Sequence, residues 1–90
     1  MKIENTITVV NKLGLHARAS AELVKLAGQY TSNIQLSLGT QSVDGKNIMG
    51  LMMLAAACGS EITLTIEGED AEKAAAEIRK LFYNRFGEKE

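Results

Sequence analysis

Aromatic side chains are scarce in this 90-residue chain. Tyr30, Phe82, Tyr83 and Phe86 are the whole set, and tryptophan is missing. None of the four falls in a strand-like pattern, which argues against a sheet that stacks the bases of single-stranded nucleic acid. An excess of one charge is also lacking. Ten Lys and Arg stand against eleven Asp and Glu, for a net charge of −1, so electrostatics give no case for nucleic-acid binding. The single cysteine, Cys58, can form no intramolecular disulfide; beside Ala55, Ala56 and Ala57 it reads as a small buried apolar residue. One cysteine and one histidine make no cluster of soft metal ligands, so neither a metal nor a cofactor is expected. Met1-Lys2-Ile3-Glu4-Asn5 lacks the apolar core of a signal peptide. The longest apolar run, Leu51 to Cys58, is far too short to span a bilayer. These absences point to a soluble, cytoplasmic protein.

What is present is an ordinary globular balance, 46% hydrophobic and 23% charged residues. The length suits one domain over residues 1–90, with a core but no deep substrate pocket, which favours a site on the surface. Ile3, Ile7 and Val9 alternate with Thr6, Thr8 and Val10 as a first strand. From Ala17 the period changes: Ala19, Leu23, Leu26 and Tyr30 share one helical face, and Gly28 marks the helix end. Ile34, Leu36 and Leu38 alternate again. Gly39-Thr40 turns that strand into a short third one, Gln41-Ser42-Val43. Asn47 is placed to cap a short helix through Ile48, Leu51, Met52 and Leu54, ended by Gly59-Ser60. Ile62, Leu64 and Ile66 form the clearest strand. Asp70 is a natural N-cap for a last helix with Ala71, Ala74, Ala75, Ile78, Leu81, Phe82 and Phe86 as its buried stripe, stopped by Gly87. The order βαββαβα predicts an α+β fold of two layers: a four-stranded antiparallel sheet with three helices on one face and water on the other.

The lone histidine lies in Gly14-Leu15-His16-Ala17-Arg18, where the strand pattern gives way to the helical one. A helix start offers unpaired N–H groups and the positive end of the macrodipole. An imidazole there can act as a nucleophile, and a phosphoryl group on it would meet ready-made donors from Ala17 and Arg18. Arg18 adds a planar, charge-assisted fork. A histidine in this place can equally cap the helix or fill a turn. A hydrolase using His16 as base is a further alternative, with Ser20 one turn along the helix.

Two segments carry a resemblance: Asn11-Lys12-Leu13-Gly14-Leu15-His16-Ala17-Arg18 and Val43-Asp44-Gly45-Lys46-Asn47-Ile48-Met49-Gly50-Leu51-Met52-Met53-Leu54. Both are similar to the HPr family, the histidine-containing phosphocarriers of the bacterial sugar phosphotransferase system. The element order matches over essentially the whole chain. The resemblance implies an open-faced sandwich. It also implies a relay in which phosphorylated Enzyme I passes a phosphoryl group to Nδ1 of His16, and Enzyme IIA domains of sugar permeases receive it. The protein would then be a relay substrate and not an enzyme. A nitrogen-related regulatory branch of the same system is the alternative.

Partner contacts implied by the resemblance are Ala17, Ala21, Lys25, Ile48, Met49 and Met52, with Leu51 and Leu54 inside. Adaptable methionines suit a surface that must meet several partners. Lys12 and Lys46 are weaker candidates for that surface, and Met53 can lie on it or in the core. A monomer is expected, without insertion in a membrane. Two positions depart from the family pattern. Ala19 stands where many members have proline, restoring an N–H in the first turn. Asn47 stands where Gram-positive members have a serine that a dedicated kinase phosphorylates, and an amide offers no hydroxyl for that reaction.

Overall fold

The computed structural model describes residues 1–90. The elements follow the alternation of sequence periods: β1 (Lys2–Thr8), α1 (Ala17–Ala27), β2 (Asn33–Leu38), β3 (Gln41–Asp44), α2 (Ile48–Leu54), β4 (Glu61–Glu67) and α3 (Ala71–Tyr83), then a 3-10 turn over Arg85–Gly87. The four strands form one sheet in the order β1-β4-β2-β3. Every pairing is antiparallel. The expected fold class is the observed one.

Period-2 alternation sets which face of the sheet is buried. In β4, Ile62, Leu64 and Ile66 point into the core. They lie in register with Ile7, Asn5 and Ile3 of β1 on one side. Leu36 and Ile34 of β2 face Leu64 and Ile66 on the other. The helices supply the second wall: Ala19 and Leu23 from α1, Leu51 and Leu54 from α2, and Ala71, Ala74, Ala75, Ile78 and Phe82 from α3. On the opposite face Thr6, Gln35, Ser37, Thr63 and Thr65 are exposed or half-buried.

Several local expectations need correction. Ser20 and Ala27 complete the buried stripe of α1, while Leu26 and Tyr30 are only half-buried. Leu81 is likewise half-buried on α3. Gly28 does end α1, with a right-handed φ of −65° in place of the left-handed turn common at such glycines. The short helix α2 stops at Leu54, because Ala55 takes a left-handed conformation with φ 52°. The chain therefore leaves the helix before Cys58, which is exposed and not buried. Asp70 precedes α3 but makes no cap bond with its side chain. Its carboxylate accepts instead from the backbone N–H groups of Thr31 (2.9 Å) and Ser32 (3.0 Å) and from the Ser32 hydroxyl, tying α3 to the loop before β2. Asn47 does cap α2, its side-chain oxygen accepting from Gly50 N at 3.2 Å. The last helix ends at Tyr83, four residues short of Gly87.

Candidate functional site

The loop that presents the histidine is built before α1 begins. Gly14 has φ 66°, a conformation that a side chain disfavours. A Cβ at this position would also run into the backbone carbonyl of Ala56. Leu15 N donates to that same carbonyl at 2.9 Å, so the loop is fastened to the segment following α2. Buried Leu15 then anchors the turn, and the next residue, His16, occupies the N-cap position. Its ring makes no cap bond, so capping does not account for the histidine. The first helical bond to the His16 carbonyl comes from Ser20 N at 2.9 Å. The amides of Ala17, Arg18 and Ala19 thus precede the hydrogen-bond ladder and remain as donors at the positive helix end. Ser20 itself is buried, and its hydroxyl donates to Leu15 O at 3.1 Å. That leaves it no role as an exposed nucleophile.

Arg18 projects back beside His16. Its Nη2 donates to Phe86 O at 2.7 Å and to Glu88 Oε2 at 2.9 Å. The same Glu88 oxygen lies 2.5 Å from His16 Nε2. The other carboxylate oxygen accepts from Asn11 Nδ2 at 3.0 Å, and Asn11 Nδ2 also donates to Gly14 O at 2.9 Å. Asn11 is fully buried and its Oδ1 has no partner. Glu88 is therefore the hub of a network joining the loop before α1, the first turn of α1 and the segment after α3. Burial alone would raise its carboxyl. The hydrogen bonds from Asn11, His16 and Arg18, with the attraction of a charged His16, prevail and lower it from 4.5 to about 2.

Neither Glu88 nor Asn11 emerges from the sequence as a site residue. Glu88 lies 72 positions from His16, in what reads as a charged tail. Its return depends on a backbone reversal. Arg85, Phe86 and Gly87 have φ of 56°, 53° and 79°. Two non-glycine residues in that region cost on the order of 1 kcal/mol each. The ring of Phe86 is buried and meets Phe82 edge to face, centroids 4.9 Å apart. Burying a phenylalanine is worth about 1.5–3 kcal/mol, enough to offset the strain.

The residues expected to form a partner surface are exposed as anticipated. Ala17, Ala21 and Lys25 lie on the outer side of α1, and Ile48, Met49 and Met52 on α2, with Leu51 and Leu54 inside. Met49 is 63% exposed and Met53, on the same short helix, 71%. Leu13, two residues before Leu15 in the loop leading to α1, is 68% exposed and was not singled out by the sequence. Lys12 meets Glu90 at 3.7 Å. Lys46 donates to Tyr30 O at 2.7 Å, so it braces the chain beyond α1 and is not a free surface charge. No helix is long and apolar enough to cross a membrane.

Known proteins resemble this chain in sequence and in fold. The family model described as the PTS HPr component phosphorylation site matches residues 3–84. The phosphocarrier protein HPr of Cupriavidus necator is 49% identical over 88 residues, covering 98% of this chain and 99% of that protein. The phosphocarrier protein NPr of Shewanella violacea is 38% identical over 87 residues, covering 97% of this chain and 96% of that protein. A crystal structure of HPr from Thermoanaerobacter tengcongensis superposes with a TM-score of 0.94 at 38% identity, covering 98% of this chain and 99% of that one. A chain matched over nearly its full length in sequence and in fold, with its one histidine at the start of α1, belongs to the HPr family of phosphocarriers.

Proposed function

We propose that the chain, acting as a single HPr domain over residues 1–90, carries a phosphoryl group on Nδ1 of His16. It receives the group from phosphorylated Enzyme I and gives it to Enzyme IIA domains of sugar permeases in the cytoplasm. The observation that carries this reading is the meeting of His16, Arg18 and the unladdered amides of Ala17 and Arg18 at one helix start.

The lone pair of Nδ1 attacks phosphorus in line with the bond to the donor nitrogen. The new N–P bond forms as the old one breaks, and the departing electron pair returns to the donor imidazole. Phosphoryl transfer of this kind depends on positioning and charge stabilisation. The backbone amides and the guanidinium supply both, since donors at a helix start favour an anion that has just arrived. Exchange onto the acceptor repeats the step with the roles reversed. Exposed Ile48, Met49 and Met52, with Ala17, Ala21 and Lys25, form the face on which donor and acceptors alternate as a monomer docks.

Incubation with Enzyme I and phosphoenolpyruvate tests the reading. The wild type should gain one acid-labile, alkali-stable phosphate, and His16→Ala should fold yet gain none. Labelling retained in that variant overturns the assignment. The similarity to a protein named NPr favours a second reading, the nitrogen-related branch. Rates with the Enzyme I of each branch separate the two.

A further inference from the structure

The segment after α3 is held in place more firmly than a solvated tail requires. Glu88 receives three side-chain donors, from Asn11, His16 and Arg18. Lys12 N donates to Glu90 O at 2.6 Å. Arg85 Nη1 donates to Lys89 O at 2.9 Å. The Glu88 side chain is only 14% exposed and the His16 ring 28%. An ionised carboxylate accepts hydrogen bonds and cannot donate them. In the neutral ring, the nitrogen facing Glu88 must therefore carry the hydrogen. That nitrogen is Nε2, so the lone pair lies on Nδ1. The same Glu88 oxygen and Phe86 O both bind Arg18 Nη2. The Nε and Nη1 edges of the guanidinium are left without a partner in the chain.

From this geometry we infer that Glu88 is a positioning residue for phosphoryl transfer: it fixes His16 as the Nε2–H tautomer and sets the angle of Arg18. The inference rests on the phosphocarrier reading for its consequence in transfer. Nδ1 uses its lone pair to bond phosphorus, and the ring becomes positively charged while Nε2 keeps its hydrogen. The carboxylate beside Nε2–H stabilises that developing charge, as the orienting acid does in a Ser-His-Asp triad. On transfer to an acceptor, the N–P bond breaks, its electron pair returns to Nδ1, and the neutral Nε2–H ring is restored. No proton enters or leaves in either direction. Asn11 acts one step further out, holding the second carboxylate oxygen and the Gly14 carbonyl together.

The test begins with nitrogen-15 NMR of the histidine in the full chain, without any donor, at a pH where the ring is neutral. The wild type should give a protonated Nε2, an unprotonated Nδ1 and a slowly exchanging Nε2–H proton. A mixed tautomer in the wild type overturns the inference without recourse to variants. In Glu88→Ala the ratio of Nδ1–H to Nε2–H should rise about tenfold, the scale set by losing a hydrogen bond to a charged group. Acceptance from phosphorylated Enzyme I should slow by a similar factor. Glu88→Gln keeps an oxygen acceptor and loses the charge, so it should retain the tautomer and recover only part of the rate. An unchanged ratio in a folded Glu88→Ala, or a wild-type rate in both variants, sinks the proposal. Should the wild type accept no phosphate while its tautomer still depends on Glu88, the carrier reading fails and the orienting contact stands.

Discussion

Arg18 satisfies two acceptors of the segment after α3 with one nitrogen, and its remaining N–H groups have no partner within the chain and are free to bind a ligand. On the phosphocarrier reading that ligand is the phosphoryl group. Loss of the guanidinium should slow transfer by roughly ten- to a hundredfold, the worth of a charge-assisted hydrogen bond. Arg18 is half-exposed, so its contact with Glu88 adds less than about 1 kcal/mol to stability. Arg18→Ala should therefore separate rate from fold: transfer kinetics fall while the urea midpoint barely moves. Arg18→Lys should recover only part of the rate, because an ammonium lacks the planar fork. Wild-type kinetics in the alanine variant would make Arg18 a bystander.

Helix α2 is too short to stand alone, since isolated helices of its length are marginal in water. It persists because Leu51 and Leu54 are buried and Asn47 caps the first turn. That arrangement leaves the outward positions free of structural duty, and they are occupied by Ile48, Met49, Met52 and Met53. An element held from one side and apolar on the other suits a docking face for several partners. Met49→Glu should weaken binding to Enzyme I or an Enzyme IIA domain, as read by calorimetry or by the apparent KM of transfer. Its stability should stay within about 0.5 kcal/mol of wild type, as for other exposed substitutions. Unchanged affinity would remove Met49 from the interface.

Two carboxylates tie distant parts of the whole molecule together, and both titrate far below their ordinary range. Asp70 holds the start of α3 to the loop before β2. The Ser32 hydroxyl and then the Thr31 amide are the main causes that bring it from 3.8 to about 2. Glu88 is brought from 4.5 to about 2 despite its burial. A depressed folded value means that the unfolded chain binds protons more readily. The stability these groups contribute is complete above about pH 4.5 and is lost as the pH falls toward about 2. Urea midpoints should hold nearly level from neutral pH to that upper bound and then drop. Asp70→Asn should flatten part of the drop, and a midpoint independent of pH across this window would dissociate both contacts from folding.

The sequence alone determined the elements and the place of the candidate histidine, because both are written in local order. Period-2 runs such as Ile62, Leu64 and Ile66 and the helical spacing of Ala71, Ala74, Ala75 and Ile78 depend only on near neighbours in the chain. The position of His16 before a helix start is equally local. Element ends were less legible. The stop of α2 at Leu54 depends on the left-handed Ala55 and on the fastening of Ala56 to Leu15. The exposure of Cys58 follows from that stop. Asp70 looked like a cap by its position, and only the approach of Thr31 and Ser32 turned its carboxylate elsewhere. Glu88 and Asn11 belong to the tertiary structure alone. Their meeting at His16 requires the buried ring of Phe86 to hold a reversal of the chain after α3, and no spacing within the sequence encodes a contact across 72 positions.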